Sequence, residues 1–193
     1  MPGLMYDELL SSITDQINNY VKKRYFMALS GPPASGKSTI SEKLKSDLNT
    51  KGYETSILQL DGFHYDEQIL KEKKLLLKKG APETFDVMGL INFISRLYKE
   101  EEVAIPIFDR SLELSRSSAA IISKNIKVII VEGNYILLNN YPWKELHKFF
   151  NTTVIINCEE KVLEERLIER WEKFNLPKEE IKEKVYRLSL IHI

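Results

Sequence analysis

An eight-residue loop motif constrains the fold of this chain more than any other feature. Residues 31–38 read Gly-Pro-Pro-Ala-Ser-Gly-Lys-Ser, which fits the pattern G-x-x-x-x-G-K-[ST]. The motif follows an apolar run at 25–29 and opens a helical pattern at 37–50. With ordinary amino-acid frequencies, this combination arises by chance about once in 10⁴ positions. The sequence therefore predicts a strand, a phosphate-binding loop and a helix; a plain glycine turn is the alternative.

This loop has the groups that bind a nucleoside triphosphate. Backbone N–H groups at a helix N-terminus attract phosphate oxygens. Lys37 can reach the β- and γ-phosphates, and the Ser38 hydroxyl can ligate Mg²⁺. The loop therefore predicts binding of Mg²⁺ and a nucleoside triphosphate, and ATP and Mg²⁺ are the cofactors that we expect. The predicted nucleotide-binding residues are Gly31, Pro32, Pro33, Ala34, Ser35, Gly36, Lys37, Ser38 and Thr39.

Strand and helix patterns alternate along the rest of the chain, and several strands are apolar throughout. This is typical of a parallel sheet covered on both faces. The strand candidates are 25–29, 54–60, 103–108, 126–131 and 152–156. The helix candidates are 37–50, 87–99 and 159–174. We predict one three-layer α/β domain over 1–193, with a lead helix in 1–23 that either covers the sheet or forms a homodimer.

Two acidic residues stand at predicted strand ends, where ligands bind in such sheets. Asp61 follows the second strand and could take a proton from an attacking hydroxyl or hold Mg²⁺ through water. An Asp-Gly turn is the alternative reading. Glu132 ends an apolar strand, as a Walker B acid does, and would support Mg²⁺. The candidate metal site is thus formed by Ser38, Asp61 and Glu132.

Three arginines are candidates for contact with anions. Arg110 follows the third strand and suits bidentate contact with a phosphate or carboxylate. Arg166 and Arg170 are four residues apart on a charged helix, and Arg170 has no acidic neighbour at i±3 or i±4. We expect a lid over ATP at 159–176, with ordinary surface ion pairs as the alternative.

The composition narrows the class of partner and the compartment. Lys+Arg and Asp+Glu are both 28, so nothing favours broad nucleic-acid binding. Cys158 is the one cysteine, which excludes an internal disulfide, and no apolar run approaches the roughly 20 residues of a membrane span. The lysines at 71–79 either attract an acidic acceptor or form a solvated face. We predict a cytoplasmic protein that acts on a small molecule, without a membrane or nucleic-acid partner.

Several of these segments together resemble a known family. The chain is similar over 24–185 to the P-loop small-molecule kinases grouped as uridine kinase, phosphoribulokinase and bacterial type pantothenate kinase. The resemblance is strongest to bacterial nucleoside/nucleotide-kinase-like proteins, some of them called fructose-transport-system kinases. The matching segments are 31–38, Leu60–Tyr65, Lys79–Asp86, Phe108–Ser111, Val131–Tyr135 and Arg166–Arg170.

The resemblance implies a fold, an activity and roles for residues. The family fold has a five-stranded parallel sheet in the order 2-3-1-4-5. Asp61 matches the family's catalytic base, while Lys37, Arg166 and Arg170 match its phosphate-neutralising cations. The candidate acceptor-binding residues are His64, Tyr65, Phe85, Arg110, Glu132 and Tyr135. His64 is equally well read as a core histidine.

The sequence leaves three functions open. The first is a kinase that transfers the ATP γ-phosphate to a hydroxyl of a sugar, nucleoside or pantothenate-like molecule. The others are a nucleotide-dependent switch with slow NTP hydrolysis, and a degenerate protein that binds nucleotide without turnover. Residues 185–193 do not match the Asn-containing segment of relatives, so we expect a truncated chain or an incomplete adenine pocket.

Overall fold

The computed structural model describes residues 5–172 and Glu179, without the side chains of Arg170 and Trp171. The remainder of the expected lid, at 173–176, and the segment 185–193 lie outside the described residues. The strands are β1 (Tyr25–Ser30), β2 (Thr55–Gln59), β3 (Val103–Asp109), β4 (Leu114–Ile122), β5 (Val128–Gly133) and β6 (Thr152–Ile155). The α-helices are α1 (Tyr6–Asn18), α2 (Lys37–Thr50), α3 (Glu67–Glu72), α4 (Val87–Lys99) and α5 (Glu160–Glu172).

A parallel sheet in the order β2-β5-β1-β6 forms the centre of the protein. Every residue of β1 and β5 is buried, which explains their continuous apolar sequence. Ser30 pairs with Gly133, and Gln59 pairs with Glu132, so three strands end at nearly the same level. This register brings the residues that follow β1, β2 and β5 to one edge of the sheet.

The predicted α/β class with a mainly parallel sheet is confirmed, but the five-stranded order 2-3-1-4-5 is wrong for the described residues. Their parallel sheet has four strands, and β3 pairs instead with β4 in a separate antiparallel ribbon. Pro106 lacks a backbone N–H, and the β3–β4 register shifts between Ile105 and Ile107. Strand β4 is mostly exposed and carries four consecutive polar residues at 115–118, so the sequence did not predict it.

Helices cover both faces of the parallel sheet. On one face, Phe26 and Ile129 pack with the buried side of α4. On the other face, Met27 and Ile130 pack with α1 and α2. The predicted helix 87–99 is confirmed, and its cap is Asp86, which accepts a hydrogen bond from the Gly89 backbone N–H at 2.8 Å.

The lead helix packs against the sheet through its apolar side. Ile13 and Ile17 of α1 are buried in the same cluster as Met27 and Leu44. This contact corresponds to the covering arrangement predicted for the lead helix, while the homodimer stays a prediction. No helix among the described residues is long and apolar enough to cross a membrane.

Arg24, directly before β1, links distant parts of the fold through backbone carbonyls. Its side chain is buried, with 2% of the residue exposed. The guanidinium donates to the carbonyl oxygens of Leu97, Glu100, Glu101, Ser123 and Ile126, at 2.5–3.4 Å. Two of these carbonyls belong to the end of α4, where a positive charge is favourable. Arg24 therefore ties α4 and the segment before β5 to the start of β1.

Replacing Arg24 by methionine should lower the free energy of unfolding by about 3–5 kcal/mol. The substitution leaves several buried carbonyls without a donor, and hydrogen bonds to charged groups are the costliest to lose. Urea titration followed by circular dichroism measures the effect. Lys23→Met, at the exposed neighbouring position, is the matched control and should change stability little. Equal stability of the two variants would contradict this account of Arg24.

Candidate active site

The loop between β1 and α2 has the backbone shape of a phosphate cradle. Ala34 and Gly36 adopt positive φ angles of 62° and 92°, which turn the chain before Lys37 begins α2. A Cβ at Gly31 would lie 2.8 Å from the Ile156 carbonyl oxygen, so only glycine fits there. The Ser35 hydroxyl oxygen is buried and has no hydrogen-bond partner within the part of the chain that the structure describes. These features fit a loop whose polar groups are completed by phosphate oxygens.

A cavity of about 550 Å³ opens beside this loop at the carboxyl edge of the sheet. It is lined by residues 33–40 and by Asp61, Arg110, Glu132, Gly133, Asn134 and Arg166. The structure thus brings together the loop, both predicted acids and two of the three predicted arginines. Gly31 and Pro32 support the loop from outside the cavity wall.

Glu132 lies at the centre of the hydrogen bonds around the loop. Its Oε1 accepts from the Ser38 hydroxyl at 3.2 Å, and its Oε2 accepts from the Gln59 amide at 3.5 Å. The residue is only 8% exposed. Burial raises the pKa of Glu132 above its usual range, and the positive charge of Lys37 only partly opposes this shift.

The oxygen atoms of this site suit a hard divalent cation. Ser38, Asp61 and Glu132 all contribute to the cavity wall, and Mg²⁺ prefers oxygen ligands while retaining several waters. Among the described residues, no cluster of three or more His, Cys, Asp or Glu could hold a metal by itself. The oxygen atoms of Ser38, Asp61 and Glu132 fit a magnesium ion that keeps part of its water shell.

Replacing Glu132 by glutamine should stabilise the nucleotide-free protein at neutral pH. With a folded-state pKa above the unfolded one, the carboxyl lowers stability as rising pH ionises it, and the amide removes that cost. The melting temperature should rise at pH 7, with a smaller gain near pH 4. Mg·ATP should then raise the melting temperature less than it does in wild type.

The matched control is Glu102→Gln, which makes the same chemical change at an exposed position. A lower melting temperature for Glu132→Gln than for this control at pH 7 would contradict the predicted burial cost.

Two cations lie against the loop. The Lys37 ammonium is buried and donates to the Pro32 carbonyl oxygen at 2.7 Å. Arg166 reaches back from α5 and donates to the Ala34 carbonyl oxygen at 3.3 Å. Arg170 lies on the same helix, but its side chain is outside the described part of the structure. Lys37 and Arg166 thus place positive charge on two sides of the loop.

Asp61 is positioned by the β3–β4 ribbon as well as by β2. It lies on a short 3₁₀ turn, Leu60–Phe63, that directly follows β2. A Cβ at Gly62 would lie 2.8 Å from the Pro106 carbonyl oxygen, and the Ser115 hydroxyl donates to the Gly62 carbonyl. Arg110, from the loop that joins β3 and β4, donates to Asp61 Oδ2 at 2.9 Å. The ribbon therefore holds the turn and supplies a cation to its carboxylate.

Three of the other predicted acceptor-binding residues, His64, Phe85 and Tyr135, form an aromatic cluster. The His64 and Phe85 ring centroids are 4.0 Å apart, and Tyr135 lies 5.9 Å from Phe85. The Tyr135 hydroxyl donates to the Gly80 carbonyl at 2.9 Å, and the Tyr65 backbone N–H donates to the Thr84 carbonyl. None of these four side chains lines the cavity wall described above. Their contact with an acceptor stays a prediction.

His64 should make the protein less stable in mild acid. Burial lowers the pKa of His64 to about 4, so between pH 6.5 and 4 only the unfolded state takes up the proton. We expect this residue to account for a loss of about 2–3 kcal/mol of unfolding free energy over that interval. His64→Asn should remove that part of the pH dependence in denaturant titrations. The control variant His147→Asn leaves His64 in place and should show the same loss of stability between pH 6.5 and 4 as wild type.

Sequence reasoning missed two polar residues of this site. Asn134 lines the cavity, and its backbone carbonyl accepts from the Ser30 hydroxyl at 3.1 Å. Gln59 reaches Glu132 from the neighbouring strand. Asn134 could have been found from its place two residues after the strand-end acid. No sequence pattern marked Gln59 as a site residue, because only the pairing of β2 with β5 brings it to Glu132.

A parallel α/β sheet whose first strand leads into this loop, with acids after two neighbouring strands, defines a P-loop nucleotide-binding protein. No family model matches the sequence. "Putative uridine kinase C227.14" of Schizosaccharomyces pombe is 30% identical over 174 residues, which cover 86% of this chain and 73% of that protein. A crystal structure described as a "putative fructose transport system kinase" from Silicibacter sp. TM1040 is 32% identical, with a TM-score of 0.92. The match covers 98% of this chain and 92% of that one.

The chain therefore belongs to the family of P-loop small-molecule kinases that includes uridine kinase-like proteins and pantothenate kinases. "Uncharacterized protein YggC" of Escherichia coli is 34% identical over 153 residues, which cover 77% of this chain and 62% of that protein. A pantothenate kinase of Ligilactobacillus salivarius is 29% identical, and the match covers 78% of this chain and half of that enzyme. The chain thus matches less than two thirds of these two relatives.

Proposed function

We propose that this protein transfers the γ-phosphate of Mg·ATP to a hydroxyl group of a small polar metabolite, such as a sugar, a nucleoside or a pantothenate-like molecule. The observation that carries the proposal is the shared cavity, in which a phosphate loop faces a carboxylate on a separate turn. A loop alone would serve any nucleotide-binding protein. A second carboxylate on the acceptor side supports transfer to a hydroxyl.

The proposed roles follow from the positions of the side chains. Lys37 and the loop N–H groups bind the phosphates, and Arg166 offsets the charge that develops during transfer. Ser38 and Glu132 hold Mg²⁺, which neutralises phosphate charge when it is bound. Asp61 accepts the hydroxyl proton as the acceptor oxygen bonds to the γ-phosphorus. The bond from that phosphorus to the bridging oxygen breaks, and its electron pair leaves with ADP.

The location that supports this reaction is the cytoplasm, which we propose for the protein. ATP and small polar metabolites are available there. A chain whose one cysteine, Cys158, is free suits a reducing compartment.

A coupled assay of ADP release with Mg·ATP tests the proposal. The panel contains sugars, nucleosides and pantothenate, beside a control without acceptor. Stimulation by one class supports the kinase and identifies its acceptor. Slow hydrolysis that no acceptor changes would favour a nucleotide switch. A thermal shift with Mg·ATP and no ADP would favour a degenerate binding protein. Either result would overturn the kinase proposal.

A further inference from the structure

The ion pair between Arg110 and Asp61 engages the carboxylate that the proposed transfer needs. Arg110 Nη2 lies 2.9 Å from Asp61 Oδ2, and both side chains line the cavity beside the loop 31–38. An ionised carboxylate only accepts hydrogen bonds, so one of its two oxygens is already used by the guanidinium. An acceptor hydroxyl that approaches Asp61 therefore meets a cation at the same place.

This ion pair is exposed and easily exchanged. The Arg110 side chain is 55% exposed and the Asp61 side chain is 35% exposed. Within the described residues, Asp61 is the one carboxylate at ion-pair distance from Arg110. Exposed pairs of this kind change an equilibrium by a factor of about five or less. A ligand that offers the guanidinium a better partner can thus displace Asp61.

The backbone of the loop that carries Arg110 is held by hydrogen bonds, whereas the Arg110 side chain is exposed. Asp109 Oδ1 accepts from the backbone N–H groups of Ser111 and Leu112, at 3.0 and 3.3 Å. Asp109 Oδ2 also pairs with Arg116 at 3.3 Å. Arg110 can therefore change partners by side-chain rotation while its loop keeps it at the cavity.

The neighbouring cation, Lys79, is already committed to other partners. Its ammonium lies 3.3 Å from Glu67 Oε1 and donates to the Glu113 carbonyl oxygen at 3.0 Å. Its side chain is 22% exposed. Of these two cations, Arg110 is the one that lines the cavity and can receive an anion from a ligand.

We propose that the acceptor carries a negatively charged group in addition to its hydroxyl, and that this group draws Arg110 away from Asp61. The inference rests on the proposed kinase function. A carboxylate or a phosphate can accept two parallel hydrogen bonds from the planar guanidinium. Asp61 accepts one hydrogen bond from Arg110 in this structure. Asp61 is then released at the moment when the acceptor hydroxyl arrives. Arg110 is thus a specificity-determining residue.

Matched charged and neutral acceptors test the proposal and separate the two anions. D-Glycerate is compared with glycerol for the carboxylate, and ribose 5-phosphate with ribose for the phosphate. With Mg·ATP, the charged member of at least one pair should have a kcat/KM about 10- to 100-fold above its neutral partner. Equal use of both members, preference for the neutral ones, or no stimulation by any member would overturn the inference.

Variants of Arg110 test its role directly. Arg110→Met should abolish the charge preference, raise KM for the charged acceptor about 10-fold or more, and increase ADP release without acceptor several-fold. Arg110→Lys keeps the positive charge but lacks the two parallel N–H donors of the guanidinium. It should therefore retain part of the preference for the charged acceptor. Arg96→Met is the matched control, because Arg96 is an exposed arginine paired with Glu100 on α4, away from the cavity. A preference that survives in Arg110→Met would overturn the proposed role.

The failure of this inference differs from the failure of the proposed function. A protein without an Mg·ATP-induced thermal shift, and without ADP release under any condition, would contradict the kinase itself. ADP release that does not depend on acceptor charge would contradict only the role of Arg110.

Discussion

Replacing Asp61 by asparagine should lower kcat for phosphoryl transfer by about 10²- to 10⁴-fold, the range expected when a general base is removed. Asparagine keeps the size of the side chain and can still accept a hydrogen bond from Arg110. The phosphate loop lies on a separate element, so the affinity for Mg·ATP should change little. Steady-state ADP release measures turnover, and the Mg·ATP-induced thermal shift measures binding.

Asp15→Asn is the matched control for this prediction. It makes the same carboxylate-to-amide change on an exposed position of α1 and should retain full turnover. If Asp61→Asn kept wild-type kcat, another group would have to take the proton. His64 is the nearest histidine in sequence, but burial lowers its pKa to about 4, which makes it a weak base. Glu132, which also lines the cavity, would then be the next candidate.

The residues that follow buried strands were predictable from the sequence. The loop at 31–38 directly follows β1, Asp61 lies just beyond β2, and Glu132 is near the end of β5, and the sheet brings these strand ends together. Their place in one cavity follows from the fold class alone. The capped helix at 87–99 was equally predictable, because a period of 3.6 and a capping residue are local features.

Features that depend on how deeply a side chain is buried, or on which distant segments pair, were not predictable from the sequence. Arg24 follows two exposed lysines and has no local sign of burial, yet it bonds carbonyls about 73 to 102 residues away in the chain. Strand β4 is mostly exposed and polar residues fill most of its first half, so its sequence resembled a loop, whereas β3 was predicted as a strand. An aromatic side chain such as Phe85, just before α4, looks the same in sequence whether it lines a cavity or packs elsewhere in the core.

The part of the cavity proposed to bind the acceptor is formed by residues from two separate elements, one of which is the β3–β4 ribbon. Arg110 comes from the β3–β4 loop, whereas Asp61 comes from the turn after β2. The contacts of Gly62 with Pro106 and Ser115 hold the turn after β2 against the β3–β4 ribbon. The phosphate side, by contrast, is formed by β1, β5 and α2, with Arg166 added from α5. Substitutions in the ribbon should therefore alter acceptor use before they alter nucleotide binding.

Replacing Lys37 by methionine should weaken Mg·ATP binding strongly and lower kcat by about 10²- to 10³-fold, as expected when a preorganised donor to the transferred phosphate is lost. The variant should also be less stable without nucleotide. The positive charge of Lys37 opposes the rise in the pKa of the buried Glu132, so its removal leaves that carboxylate more costly to ionise. Lys22→Met, at an exposed position, is the control.

The double variant Lys37→Met/Glu132→Gln separates these two effects. Because glutamine carries no charge, the double variant should regain most of the melting temperature lost in Lys37→Met, without regaining ADP release or the Mg·ATP-induced thermal shift. A double variant that recovered nucleotide binding would show that Lys37 acts mainly by neutralising Glu132. One that recovered no stability would show that the loss in Lys37→Met comes from packing of the loop, since the electrostatic cost has then been removed from both sides.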